Sequence, residues 1–362
     1  MKKSISIVLL AIIFIVTNGT KPGKQVEKEQ GSKIEFIKKT SDKRIDVKID
    51  GKLFTSYCWP DNVFKPILYP VYTSAGTEIT RGFPIKPKTG ERADHPHQVG
   101  MWLTYGNVDG YDFWNNGSEG LGIQNDNGGV IKHIEVSELS GGIGEGYLVT
   151  VESWTDKTGK ELLTENTKYH FIAKGSTRII DRVTTLTAGE NEVLMADSKE
   201  GMFGIRVARQ LELPSEGSIT LYSADGHPTK VKEMSNEGIS GDYRSSEGVT
   251  GLGVWGTRAK WMDLFGNIGD EKISLVICDH PKNPCYPTYW HARGYGLFAA
   301  NPLGWSAFTN GKEQLNYSIS AGQSITFRYR VIISSGAHLD DTEINAYADD
   351  FAGKYLGEQV GG

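Results

Sequence analysis

Polar and apolar residues alternate along most of the chain. In "RIDVKIDGKLFTSY", Ile45, Val47 and Ile49 are separated by polar positions, Asp50-Gly51 interrupts, and Leu53, Thr55 and Tyr57 resume the alternation. A period of two points to strands, and Asp-Gly between two such runs is the signature of a two-residue hairpin turn with positive φ at both positions. "GYLVTVESWTD" and "ELLTENTKYHFIA" repeat the theme across Lys157–Lys160. "TRIIDRVTTLTA" alternates again, and "EQLNYSISAGQSITFRYRVIIS" reads as two strands around Ala321-Gly322. One segment has a helical period instead. Asp340 and Glu343 have capping-box spacing, and Ile344, Tyr347, Ala348, Phe351 and Tyr355 then recur every three or four residues, predicting a helix over 340–356.

Strand-turn-strand units follow one another without a linker, an internal repeat or a low-complexity block. The predicted fold is all-β: one large antiparallel β-sandwich over 33–362, a super-sandwich of two extended sheets with the C-terminal helix packed as a flap. Two sandwiches in tandem are the alternative. The 44 glycines suit a turn-rich all-β chain.

The first residues break this pattern. Lys2 and Lys3 precede "ISIVLLAIIFIV", a twelve-residue run too short for a comfortable membrane span but of the right length for the core of a signal peptide. Residues 1–20 are predicted to be a cleaved export signal, and the lysine-rich stretch 21–32 a flexible leader. An uncleaved anchor is the alternative. No later run is long and apolar enough to span a membrane, so the expected location is periplasmic or secreted. The net charge of −5 and the absence of a basic block give nucleic-acid binding no support. Cys58, Cys278 and Cys285 make an odd count for an exported protein. Cys278 and Cys285 could close a short loop, or all three could be thiols.

Two segments interrupt the alternation and gather unusual chemistry: "DHPHQVGMWLTYGNVDGYDFWNN" (94–116) and "DHPKNPCYPTYWHARGYGLFAANPLGWSAF" (279–308). Proline removes a ladder donor, so both read as loops or sheet rims, where function concentrates on a rigid β-scaffold. If His95-Pro96-His97 is extended, both imidazoles point to one side. That suits two metal ligands, two histidines flanking one substrate, or two rim histidines bonded to backbone carbonyls. Trp290-His291-Ala292-Arg293 and His280 form the second cluster.

Tryptophan offers a flat apolar face and one N–H, and sugars have apolar ring faces with polar edges. Trp102, Trp114 and Trp290 are therefore candidate platforms among tryptophans that also include Trp255, Trp261 and Trp305; packing in the β-core is the alternative role. Glu200 precedes Met202, Gly204 and Arg206 at strand spacing. It reads either as a general base beside an anchoring Arg206 or as half of a structural Glu–Arg pair. Arg81, Asn107 and Asp112 are further candidate substrate contacts. Nucleophile-elbow, Walker and H-E-x-x-H motifs are all absent.

The runs "FKPILYPVYTSAGTEITRGFP", "DHPHQVGMWLTYGNVDGYDFWN", "KEGMFGIRVA" and "PTYWHARGYGLFAANPLG" resemble an exported bacterial family labelled "PmoA family protein" or "methane oxygenase PmoA", over about residues 34–333. Gln98 stands where that family usually carries a further histidine. The resemblance implies the company of polysaccharide breakdown and a fold similar to the galactose-mutarotase-like super-sandwich. In that fold His95, His97, His291 and Glu200 would supply a histidine acid and a carboxylate base. The methane-oxygenase activity of the label is not carried over, because its subunits are membrane proteins.

The leading expectation is a carbohydrate-active enzyme doing acid/base chemistry on a sugar or glycan, by hydrolysis, elimination or epimerisation, without a cofactor. In it His95, His97, His291 and Glu200 are catalytic, and Arg81, Trp102, Asn107, Asp112, Trp114, Arg206, His280, Trp290 and Arg293 bind substrate. One alternative is a metal-dependent enzyme in which the H-x-H pair, a further histidine and a carboxylate hold a divalent ion. The other is a non-catalytic glycan-binding protein using aromatic faces alone.

Overall fold

The computed structural model describes residues 31–116 and 126–360. The expected signal segment, and the leader up to residue 30, lie outside the described residues. The first strand among the described residues starts at Lys33.

Among the described residues two large antiparallel sheets face each other, of nine and eight strands. From one edge, the nine-stranded sheet runs Tyr289–Ala292, Leu297–Asn301, Gly201–Arg206, Met101–Tyr105, Ile67–Val71, Lys52–Cys58, Arg44–Ile49, Lys33–Lys39 and Gly142–Ile143. The eight-stranded sheet centres on Ser324–Ser335 and Thr177–Ala188, flanked by Glu271–Asp279 and Glu161–Lys174. The inward residues of both sheets form one core, with Val47, Leu103, Phe203, Phe298, Leu275 and Phe327 almost fully buried. The fold is thus the expected large antiparallel β-sandwich with a C-terminal helix.

The local signals fold as their chemistry dictates. Asp50 and Gly51 have φ of 50° and 75°, the left-handed pair that a two-residue hairpin turn requires. The helix spans Asp341–Ala352, shorter than predicted, and both halves of its capping box form: the Asp340 carboxylate accepts from the Glu343 N–H, and the Glu343 carboxylate accepts from the Asp340 N–H. Its apolar face, Ile344, Ala348 and Phe351, packs on Ile179, Val276 and Ile332 on the outer side of the eight-stranded sheet. All three cysteines are thiols, and Cys278 is fully buried. No helix among the described residues is long and apolar enough to cross a membrane.

Candidate functional site

The site lies on the outer face of the nine-stranded sheet, near the edge formed by Tyr289–Ala292. Register builds its floor. His291 pairs with Ala299, Ala299 with Gly204, and Gly204 with Trp102, so these four residues form one row across four strands. Small residues at the middle of the row leave room for the indoles. A Cβ at Gly204 would lie 3.0 Å from the Trp102 ring. Trp114 tilts against Trp102 with centroids 5.3 Å apart, and its ring stacks with His291 at 6.3 Å and 15°. Trp290, one residue out of phase with His291, points into the inter-sheet core and donates to the Ala259 carbonyl.

The wall is the segment 94–98, and buried cations shape it. Arg81, 1% exposed, donates to the carbonyls of Arg92, Asp94, His95 and Gln98 and to the Asp94 carboxylate. Arg206, fully buried, donates to the same Asp94 oxygen at 2.7 Å and to Gln98 Oε1 at 2.5 Å. Lys65 Nζ donates to the His97 carbonyl at 2.6 Å. These bonds bend the segment: His95 has φ 42°, and the Gln98 N–H donates to the His95 carbonyl. The segment is therefore a turn, not the extended run that would align two side chains. The two imidazoles still meet, with centroids 5.7 Å apart and planes at 81°.

Above this floor and wall opens a cavity of about 360 Å³, lined by His95, His97, Gln98, Asn115, Lys199, Glu200, Trp255, His291, Arg293 and Tyr295. Histidines almost two hundred residues apart thus share one cavity with Glu200 and Arg293. His97 is 4% exposed and neither ring nitrogen has a partner; His291 Nδ1 also lacks one. Burial, then the charges of Lys65, His95, Arg206 and Arg81, push His97 down to about 2. Burial, then Lys199 and Arg293, push His291 down to about 3. Both imidazoles are neutral at pH 7. The Glu200 carboxylate pairs with the adjacent Lys199 ammonium. The Arg293 guanidinium lies over Trp255 at 5.6 Å and over Tyr295 at 5.8 Å.

Other sequence candidates are placed elsewhere. Trp102, Trp114 and Trp290 are fully buried and offer no open face. They support the cavity and are not platforms: strand register turns Trp102 into the floor and Trp290 into the core, and Trp114 packs against Trp102. Arg81 and Arg206 hold the wall from behind, with both terminal nitrogens of each bonded to the 92–98 segment. Glu200 pairs with Lys199, not with Arg206. Asn107 caps its own turn by accepting from the Gly110 N–H. Asp112 accepts from the Trp114 and Asn115 N–H groups and from the Asn115 amide, which fixes the Asn115 side chain at the cavity. His280 bonds the Lys354 carbonyl and meets Phe351 edge-on, which ties its loop to the C-terminal helix.

Sequence reading missed Lys199, Asn115 and Tyr295. Each directly adjoins a candidate or lies two positions from one, but nothing in the chain's pattern tells which neighbour faces the cavity. Tyr295 stacks on His95 at 5.0 Å with planes 2° apart, and Arg206 covers it at 4.8 Å. The aromatic rings at the cavity therefore hold cationic and imidazole groups more than they offer bare faces. Among the described residues, no three His, Cys, Asp or Glu side chains converge as metal ligands.

Similarity to known proteins is distant. No curated protein matches the chain. Among solved structures it is similar to the galactosidase domain of the alpha-galactosidase–sucrose kinase AgaSK, at 10% identity and TM-score 0.35, over 84% of this chain and 42% of that one. It is also similar to a beta-arabinopyranosidase, at 12% identity and TM-score 0.32, over 86% and 39%. A galactose mutarotase related enzyme from Lactobacillus acidophilus matches at 8% identity and TM-score 0.27, over 84% and 98%. The chain spans about two fifths of the first two proteins. The pattern of a family of unknown function, DUF6807, matches residues 44–349, and the chain belongs to that family.

Proposed function

We propose that this protein is an exported carbohydrate-active enzyme that moves protons on a sugar bound in the His97–His291 cavity. The observation that carries the reading is the pair of neutral imidazoles, contributed by distant segments to one cavity, with ring nitrogens that no protein group satisfies. Buried polar atoms in a folded protein are nearly always paired, so such nitrogens await a ligand's hydroxyls. A neutral imidazole both donates and accepts, which lets it orient a hydroxyl or receive its proton. The Lys199 ammonium, held against Glu200, is the group positioned to return a proton or to meet developing negative charge. His95 and Arg293, which both line the cavity, would fix the substrate. Hydrolysis, elimination and epimerisation all need this acceptor and donor. A binder relying on aromatic stacking fits less well, because Tyr295 and Trp255 are already covered by His95, Arg206 and Arg293. Export is part of the proposal and rests on the lysine-led apolar run of residues 1–20.

The test is a screen of the purified protein on a panel of plant and algal glycans, with reducing-end and double-bond readouts, for wild type, His97→Ala, His291→Ala and the double variant. The expected result is loss of activity in each single variant with melting temperatures nearly unchanged. The double variant should be little worse than either single, since residues acting as a unit are non-additive. Alanine variants that keep full activity, or that fail to fold, would overturn the reading.

A further inference from the structure

Among the described residues, the cationic groups in and beneath the cavity outnumber the carboxylates beside them. Lys199 and Arg293 line it, and Arg81, Arg206 and Lys65 lie under its wall. Against these five, Glu200 matches Lys199, Asp94 is shared between Arg81 and Arg206, and Asp112 lies near Lys65. Arg81, though burial and Arg206 push it down to about 9, stays protonated at neutral pH, whereas burial pushes Lys65 down to about 7, so it carries only part of its charge there. Among the described residues no carboxylate comes within ion-pair distance of the Arg293 guanidinium, which is held in place by the faces of Trp255 and Tyr295. Fixed cations around a small, partly desolvated cavity give a positive potential at its centre. Beside them sit three unpartnered ring nitrogens, on His97 and His291. A neutral sugar would satisfy the imidazoles and leave the potential unanswered.

We propose that the cavity takes an acidic sugar, a hexuronate unit, with its carboxylate on Arg293 and its ring hydroxyls on His97 and His291. The proposal rests on the carbohydrate reading above and narrows it. A carboxylate is planar with two acceptor oxygens and matches the guanidinium fork. Its negative charge answers the cavity-lining guanidinium that, among the described residues, has no carboxylate within ion-pair distance. Sulfate esters and phosphates share the anionic chemistry, and the experiment separates them from a uronate.

Isothermal titration calorimetry on the purified mature protein compares sodium D-glucuronate and D-galacturonate with D-glucose and D-galactose. Glucose 6-sulfate, glucose 6-phosphate and inorganic sulfate form the control arm. The expected result is uronate binding roughly ten- to a hundredfold tighter than the matching neutral sugar, the usual worth of one charge-assisted hydrogen-bond pair. It should weaken as salt rises and be lost in Arg293→Gln, which keeps its melting temperature because Arg293 is exposed. Equal binding of neutral sugars, binding of neither class, uronate affinity unchanged in Arg293→Gln, or preferential binding of inorganic sulfate or of the 6-sulfate or 6-phosphate sugar would each overturn it. The two readings fail separately. Tight, Arg293-dependent uronate binding with no glycan turned over leaves this inference standing and removes the enzyme. His97-dependent turnover of neutral glycans only does the reverse.

Discussion

Replacing Asp94 by Asn removes the one carboxylate that two buried guanidinium groups share. Arg81 Nη1 and Arg206 Nη2 both donate to the same oxygen, Oδ1, at 2.8 and 2.7 Å, and the two arginines are 1% and 0% exposed. An Asn side chain keeps an oxygen in that position, so both hydrogen bonds can persist and the substitution isolates the charge. Deleting one partner of a buried ion pair costs about 3–5 kcal/mol. With the bonds retained and the Asp94 side chain 30% exposed, the expected loss is about 2–3 kcal/mol. Unfolding entropy of roughly 2.1 cal/mol/K per residue, over roughly 330 residues, makes this a fall in melting temperature of about 3–4 °C. The pH dependence adds a second check. Arg206, His95 and Arg81 overcome the burial of Asp94 and hold its carboxyl far below the usual range. A group depressed in the folded state contributes stability that is fully present above its unfolded value, about 3.9, and is lost as pH falls towards the folded one. The gap between wild type and Asp94→Asn, read from urea midpoints, should therefore be constant from pH 5 to 8 and shrink below pH 4. A gap under 0.5 kcal/mol at pH 7, or one that widens in acid, would refute the claim that Asp94 is the counter-charge of the wall.

Two further perturbations test the floor and the wall. Gly204→Ala brings a Cβ to 3.0–3.3 Å from three atoms of the Trp102 indole, and overpacking of this kind costs about 1–3 kcal/mol. The variant should melt earlier and show altered tryptophan fluorescence, and an unchanged melt would mean that the floor yields freely. Burial pushes Lys65 down to about 7, against an unfolded value near 10.4, so the unfolded chain binds the extra proton between those values. Wild-type stability should therefore gain a contribution as pH rises from about 7 to about 10. Lys65→Met should abolish that slope in denaturant titrations, and a parallel pH profile would show that Lys65 is not desolvated.

The fold was legible because strand alternation and turn chemistry are local. Asp50-Gly51 dictates its hairpin wherever it sits, and Asp340 with Glu343 caps a helix without help from the rest of the chain. The site was half legible. His95, His97, His291, Glu200 and Arg293 stand out by residue type. Whether Arg206 reaches into the cavity or lies beneath its wall depends on strand register and on what packs against the strand, which no stretch of sequence contains. The tryptophans show the limit most clearly. Trp102 and Trp290 are chemically alike, and only the pairing of Gly204 with Trp102, and the phase of Trp290 beside His291, assign one to the floor and the other to the core. Tyr295 and Lys199 escaped notice because a tyrosine in a turn and a lysine beside a glutamate are common. Their meaning comes from His95 stacking on the one and from His291 lying near the other.

The wall and the field in the cavity have one cause. A five-residue turn whose carbonyls point inwards needs buried donors; Arg81 and Lys65 supply them, and Arg206 holds the Asp94 and Gln98 side chains of the same turn. Neutral donors could satisfy the same carbonyls, but a guanidinium reaches several at once, as Arg81 does with three of them and with the Arg92 carbonyl. The bonds that fix His97 in place therefore also bring positive charge to within a few ångströms of it, and this charge, after burial, is what keeps the imidazole neutral. Asp94 offsets part of the charge from behind, where it cannot pair with Arg293. The remainder faces the cavity. A ligand that enters with negative charge lowers the energy of the fixed cations and, by the same interaction, makes His97 and His291 better proton acceptors than they are in the free protein. Charge on the ligand and basicity at the histidines are thus coupled by the turn that holds both. That coupling is the physical reason to seek acidic sugars before neutral ones.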